Sequence, residues 1–180
     1  MSEPTTDPGL EPATTRTDRA ETEVGSVFVS NYPAYSFWGE SDLPKARTAL
    51  ATPPHAEARL GLYLHIPFCR KRCKFCYFRV YTDKNADQIQ TYLDALAREV
   101  ETYAQLPAIR DRPLHFVYFG GGTPSYISTR HLRHLVDRLK NALPWNQAEE
   151  IAFECEPGTL TKAKLETIRE IGVTRLSLGI

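Results

Sequence analysis

The chain has 180 residues, with 22 Lys plus Arg balanced by 22 Asp plus Glu and 42% hydrophobic side chains. A neutral field argues against a nucleic-acid groove or an anionic membrane surface as the organising partner, and no apolar run reaches the ~18 residues that span a bilayer. Only four cysteines and a polar N-terminal stretch speak against a disulfide scaffold, so the expectation is a cytoplasmic, reducing setting in which thiols are reserved for metal.

Residues 1–25 are rich in Thr, Glu, Asp and Pro and nearly free of large apolar side chains, which predicts a disordered tail. Residues 26–60 gather Val27, Phe28, Val29, Tyr32, Tyr35, Phe37 and Trp38 in a Pro-punctuated stretch, read as an extended, aromatic-rich N-terminal arm packed on the core, with Pro53-Pro54 stiffening its end. From residue 61 short apolar runs alternate with longer amphipathic ones. Gly61 to Phe68 reads as a strand closed by Pro67, and Asp87 to Leu106 as a helix with Ile89, Tyr92, Leu93, Leu96 and Val100 at helical spacing. Leu114 to Phe119 is a second strand running into Gly120-Gly121-Gly122. Ser128 caps a second helix striped by Leu132, Leu135, Val136 and Leu139. Ile151 to Cys155 is a third strand. A helix from Thr161 is expected to turn Leu165, Ile168 and Ile171 inward before Gly172 closes it, and Arg175 to Ile180 starts a fourth strand. Strands alternating with helices predict a parallel α/β array. An array that stops on its fourth strand leaves an edge uncovered, so further βα units are expected beyond residue 180.

The chemistry-bearing motif is Cys69-x3-Cys73-x2-Cys76, directly after the first strand. Iron–sulfur clusters are held by thiolates, and three thiolates on a four-iron cubane leave one iron open to an outside ligand. Zinc is the competing occupant, with His65 or Cys155 as fourth ligand. Zinc sites more often arrive as paired C-x2-C knuckles, though, and no second pair exists here. His65 lies on the strand pattern, where a packed or locally hydrogen-bonded imidazole is the commoner outcome. Cys155 falls on the strand face opposite Glu154 and reads as a small buried hydrophobe.

Three motifs in order, Leu62-Tyr63-Leu64-His65-Ile66-Pro67-Phe68-Cys69-x3-Cys73-x2-Cys76, then Gly120-Gly121-Gly122-Thr123-Pro124, then Phe153-Glu154-Cys155-Glu156-Pro157, resemble the radical S-adenosylmethionine (SAM) enzymes. Within them the likeness is to the branch of oxygen-independent coproporphyrinogen III oxidases and haem chaperones. It covers residues 60 to 180 and implies a partial (β/α)6 TIM-like barrel, truncated here after about four strands, whose missing units would add SAM and substrate contacts. It implies a 4Fe-4S cluster on Cys69, Cys73 and Cys76, and SAM contacts from Tyr63, Phe75, Gly121, Gly122, Thr123 and Glu154. Glu156 is the weaker carboxylate candidate because Pro157 bends the chain there. In α/β barrels ligands bind at the C-terminal strand ends, where all these motifs fall.

The resemblance implies an oxidoreductase of tetrapyrrole metabolism that cleaves SAM reductively to a 5'-deoxyadenosyl radical. Its partners would be a tetrapyrrole or other small-molecule substrate and an electron donor such as flavodoxin or ferredoxin. The oxidases of this branch carry a further cysteine two residues after the third, where this chain has Phe78; the chaperones show Cys-x-Phe there. A haem chaperone, a radical SAM methyltransferase and a haem-degrading enzyme therefore stand as alternatives, with a zinc-binding module as the outsider.

Overall fold

The structure is a computed structural model that describes residues 37–76 and 78–179. The expected tail over residues 1–25, the arm residues Val27, Phe28, Val29, Tyr32 and Tyr35, and the end of the fourth strand at Ile180 lie outside the described residues. The chain divides into two units, Met1–Asp42 and Leu43–Ile180. Of the first, residues 37–42 are described; they contain a 3-10 turn at Glu40–Asp42, closed by the Asp42 amide donating to the Gly39 carbonyl at 2.9 Å.

The second unit opens with a helix that the sequence reading missed. Where an extended arm is expected, Leu43–Ala51 form α1. Proline lacks only an N–H that a first helical turn leaves unbonded anyway, so Pro44 starts this helix instead of preventing it. The Ala108 amide donates to the Leu50 carbonyl at 3.1 Å and fastens the end of α1 to the loop beyond the next helix.

Four strands follow, β1 (Leu60–Ile66), β2 (Leu114–Gly121), β3 (Glu150–Cys155) and β4 (Arg175–Leu178), all parallel and in sequential order. They alternate with α2 (Ala86–Tyr103), α3 (Thr129–Ala142) and α4 (Lys162–Glu170). This is the α/β array expected. Asn85 caps α2 in a reciprocal box with Gln88, satisfying two otherwise orphaned backbone donors. Ser128 caps α3 and Thr161 caps α4, each through its side-chain oxygen. Gly172, at φ +97°, takes the left-handed conformation that ends α4.

Side chains alternate across each strand, so each strand sends one set toward the helices. Leu64, Ile66, Val117, Phe119 and Phe153 are fully buried there, against Leu93 and Ala97 of α2 and the α3 stripe Leu132, Leu135, Val136 and Leu139. Cys155 belongs to the same core. Tyr63, His65, Tyr118 and Glu154 project from the opposite face, polar and partly exposed.

Helix α4 departs from the expected stripe. Ile168 and Ile171 are buried, but Leu165 is 43% exposed, and Lys164 is 6% exposed in its place. The buried positions Lys164, Thr167, Ile168 and Ile171 recur at helical spacing, which puts Leu165 a full 100° step off the packed face. The lysine is tolerated because its stem is apolar and its Nζ donates to the Ile127 carbonyl.

His131 is 3% exposed in the first turn of α3, and its Nε2 has no hydrogen-bond partner among the described residues. Burial, reinforced by Arg130 and His134 and opposed by Asp87 and Asp94, holds its pKa below the usual 6.5. A group that protonates more readily unfolded than folded draws the chain toward unfolding as pH drops. Stability is therefore expected to be intact above pH ~6.5 and to decline below it, on the usual histidine reference value. Urea unfolding at stepped pH should show this slope, and His131→Leu should flatten it; an unchanged slope in the variant would assign the effect to other groups.

Candidate cofactor site at the strand ends

The site begins where β1 and β2 stop. Parallel pairing matches His65 to Gly120 and Ile66 to Gly121. It continues past the strand ends, with the Gly122 amide donating to the Ile66 carbonyl and the Thr123 amide to the Phe68 carbonyl, each at 2.8 Å. A Cβ on Gly122 would come within 2.9 Å of Cys69 Sγ, the Ile66 carbonyl oxygen and the Phe68 carbonyl oxygen. Only glycine lets the two segments lie this close. The Thr123 hydroxyl donates to Cys69 Sγ at 3.3 Å.

The cysteine loop has a fastened base. Tyr81 donates its amide to the Pro67 carbonyl at 2.8 Å, and the Cys69 amide donates to the Tyr81 carbonyl at 3.0 Å. Arg70 donates to the Gly158 carbonyl at 3.1 Å, tying the loop to the turn after β3. Above the base, Cys69 is buried, Cys76 is half-buried and Cys73 is exposed. All three line one cavity of about 620 Å³, together with Phe75, Phe78, Gly121, Gly122, Thr123, Glu154 and Glu156. An adjoining cavity of about 520 Å³ shares Cys73, Phe75, Gly122, Thr123, Glu154 and Glu156 and reaches Ser177 on β4. Burial pushes the Cys69 thiol up, opposed by the Thr123 hydroxyl and reinforced by Cys76 and Cys73.

Glu154 sits at the end of β3 and is held from two sides. Tyr118 donates its hydroxyl to one carboxylate oxygen at 2.6 Å, and the Gly121 amide donates to the other at 3.2 Å. The hydrogen bond to Glu154, with burial second and the Glu154 charge third, pushes the Tyr118 pKa to about 12. Tyr118 therefore keeps its proton, and remains a donor, across the physiological range. Beside it, Tyr63 stacks on Tyr118 with ring centroids 5.9 Å apart and bonds His65 Nδ1 through its hydroxyl at 3.0 Å. The His65 ring lies over Gly121, where a Cβ would come within 2.7 Å, and burial lowers its pKa against the opposing pull of Glu154. The imidazole is locally bonded, as its strand position suggested. Tyr92 on α2 donates to the His65 carbonyl at 2.8 Å and fixes the strand end from behind.

Of the residues singled out from sequence, Cys69, Cys73, Cys76, Phe75, Gly121, Gly122, Thr123 and Glu154 line the first cavity. Tyr63 stands outside that lining and reaches the site through Tyr118 and His65. Sequence reasoning missed Tyr118, Tyr81, Arg70 and Tyr92. The one available signal was alternation on β2, which puts Tyr118 on the same face as Tyr63 and Glu154. Among the described residues no group of three or more His, Cys, Asp or Glu side chains is gathered closely enough to hold a metal ion; Cys69, Cys73 and Cys76 share the lining of one cavity.

Residues 63–180 match the family model of the radical SAM superfamily. An oxygen-independent coproporphyrinogen III oxidase from Synechocystis sp. is 31% identical over 153 residues, covering 85% of this chain and 33% of that protein. An anaerobilin synthase from Escherichia coli O157:H7 is 38% identical over 120 residues, covering 66% of this chain and 26% of its own. The haem chaperone HemW of Haemophilus influenzae is 32% identical over 123 residues, covering 67% and 32%. The solved radical SAM enzyme coproporphyrinogen III oxidase (HemN) from Escherichia coli superposes with a TM-score of 0.70 at 30% identity, over 85% of this chain and 35% of that one. The chain thus spans about a third of the length of the curated relatives it matches.

Gly122→Ala should expose how tightly the two strand ends are packed. Two of the three clashing atoms are backbone carbonyl oxygens that cannot swing aside, so a loss of about 1–3 kcal/mol is expected, the usual cost of forcing extra atoms into a packed site. Denaturant unfolding measures it, and a neutral result would mean the strand ends separate freely.

Proposed function

The chain belongs to the radical SAM superfamily, and from that premise we propose that it carries a 4Fe-4S cluster on Cys69, Cys73 and Cys76 and cleaves SAM reductively, in the manner of a coproporphyrinogen III oxidase acting in tetrapyrrole metabolism. The supporting observation is the convergence of three thiols, a side-chain-free backbone at Gly121 and Gly122, and an anchored carboxylate, Glu154, on one cavity. Held there by Cys69, Cys73 and Cys76, a cluster would provide the electron for reductive cleavage of SAM to methionine and a 5'-deoxyadenosyl radical.

The chain's own residues bind and orient. Gly121 and Gly122 present bare backbone to the ligand, and Glu154 accepts hydrogen bonds from its ammonium or hydroxyl groups. Tyr118 and the Gly121 amide fix the direction of that carboxylate before the ligand arrives, which spares binding the loss of a rotamer. Thr123 keeps Cys69 facing the cavity. Phe75, 80% exposed and part of both cavity walls, is placed to cover the ligand and limit water. Tyr63 stacks on Tyr118 and so supports the anchor of Glu154. The protein is proposed to work in the cytoplasm with an external electron donor of the flavodoxin or ferredoxin kind.

A second reading, a haem chaperone that retains the cluster, draws on one specific feature: Phe78 stands where the oxidases carry a further cysteine, and it lines the cavity. Anaerobic reconstitution with iron and sulfide, followed by measurement of 5'-deoxyadenosine and of haem transfer, separates the two. Nucleoside formation with substrate turnover supports the enzyme, haem transfer without turnover supports the chaperone, and a colourless zinc-loaded protein defeats both.

Two sets of substitutions test the residue roles. Replacing Cys69, Cys73 or Cys76 by Ala should each abolish the brown chromophore, whereas Cys155→Ala should leave it; loss of iron in the Cys155 variant would give the protein a fourth ligand. Tyr118→Phe should weaken SAM binding by calorimetry roughly tenfold, the scale of one lost hydrogen bond to a charged group, with iron content unchanged. Unaltered affinity would mean that Glu154 is positioned without it.

A further inference from the structure

Three buried side-chain atoms lack a hydrogen-bond partner among the described residues: His115 Nδ1, His131 Nε2 and Glu156 Oε2. Of the three residues only Glu156 lines the cavities at the strand ends, and it lines both of them. A carboxylate oxygen accepts hydrogen bonds and donates none, so its shortage is met only when a donor is brought to it. Leaving such an oxygen buried and unpaired is costly. Its place on the wall that the two cavities share makes a bound ligand the natural source of the donor.

Every other polar atom of Glu156 is fixed. Its amide donates to Ser125 Oγ at 3.0 Å, its carbonyl accepts from the Thr159 amide at 3.0 Å and the Thr159 hydroxyl at 2.7 Å, and Oε1 accepts from the Gly158 amide at 3.0 Å. Ser125 is 1% exposed, so the turn after β3 is anchored in the core, and Arg70 holds the same turn through the Gly158 carbonyl. The bend at Pro157, which ranks Glu156 below Glu154 in the sequence, is the 3-10 turn Pro157–Thr159 that the Glu156 side chain caps. It keeps the carboxylate on the cavity wall. A Cβ on Gly158 would come within 2.6 Å of Oε1 and 3.3 Å of Oε2, so the glycine is what lets the carboxylate lie over the turn.

We propose that Glu156 is a second ligand-holding carboxylate of this site, whose Oε2 accepts a hydrogen bond from an O–H or N–H donor of SAM, the ribose hydroxyls and the α-ammonium being the groups of that chemistry. The proposal rests on the SAM reading above and adds a residue to it. Each oxygen of Glu154 already accepts a donor from the protein, the Tyr118 hydroxyl on one and the Gly121 amide on the other. Glu156 keeps a whole oxygen free, so its bond to the ligand displaces no bond within the chain. Oε2 is closed to solvent, and the terminal torsion of a glutamate is soft enough to turn it onto an incoming donor. An arrangement of this kind trades stability of the ligand-free protein for affinity.

Calorimetry of SAM binding to the protein with its cluster reconstituted tests this with two variants. Glu156→Gln keeps an oxygen for the Gly158 amide and sets an N–H donor where the free acceptor stands, so SAM affinity should fall about tenfold or more, the scale of one hydrogen bond to a charged group. Gly158→Ala displaces the carboxylate and should weaken binding in the same direction. Ligand-free Glu156→Gln should unfold at a urea midpoint equal to or above that of wild type, because the change removes an unpaired buried carboxylate oxygen. Competition against SAM by 5'-methylthioadenosine and by L-methionine locates the donor: a loss shared by the nucleoside assigns it to the ribose, and a loss shared by methionine assigns it to the ammonium. Unchanged SAM affinity in either variant overturns the proposal, as does a lowered urea midpoint for Glu156→Gln, which would make the carboxylate a structural cap. A wild-type protein that assembles its chromophore yet binds no SAM overturns the underlying SAM reading instead.

Discussion

Two backbone hydrogen bonds beyond the ends of the strands hold this molecule's business end together. The amides of Gly122 and Thr123 reach the carbonyls of Ile66 and Phe68, so the ladder between β1 and β2 runs on into what would otherwise be two independent loops. The cysteine loop and the glycine segment cannot then drift apart, and the Cys69 sulfur is pressed against a glycine with no room for a methyl group. Parallel strands are usually followed by loops that are free to diverge; here the loops inherit the register of the sheet, and the precision of the site is the precision of a β-ladder.

The two faces of the sheet divide the labour. One is packed with Phe119, Phe153 and the α2 and α3 stripes, where Phe119 and Phe153 lie 5.0 Å apart and Trp145 closes on Phe119 at 6.1 Å. The other carries Tyr63, His65, Tyr118 and Glu154, whose hydrogen bonds run mostly among themselves. Buried hydrophobic mass makes the sheet rigid, and rigidity on that side lets the polar side hold donors and acceptors at fixed spacing before a ligand is present. Tyr92 joins the two, since it belongs to a core helix yet bonds the carbonyl of His65.

Much of this was legible in the sequence, and the parts that were not share a cause. The strands and helices of the sheet announced themselves through periodicity, and the cysteine and glycine motifs through spacing, because both are properties of neighbouring residues. Tyr81 carries no such signal and Tyr118 only the alternation of its strand, for the opposite reason: their roles depend on which residue faces which across a sheet or a loop base, and one chain does not print its register. Leu165 and Lys164 were exchanged because hydrophobicity alone ranks leucine inward, whereas a lysine stem with a carbonyl at its tip packs equally well. Helix α1 lies in a stretch whose scattered prolines read as extended chain, although a first helical turn accommodates Pro44.

The way the cysteine loop is fastened has a consequence for how such a protein can change over generations. Its base is made of main-chain bonds between Pro67, Cys69 and Tyr81, and main-chain bonds are largely indifferent to the side chains carried between them. Lys71 and Lys74 can be exchanged without loosening this main-chain base, whereas Arg70 and Arg72 also hold the carbonyls of Gly158 and Cys76. Inheritance can thus retune the exterior of the loop toward a new companion while the interior keeps its trade, and two lineages with the same core can part company at this surface first.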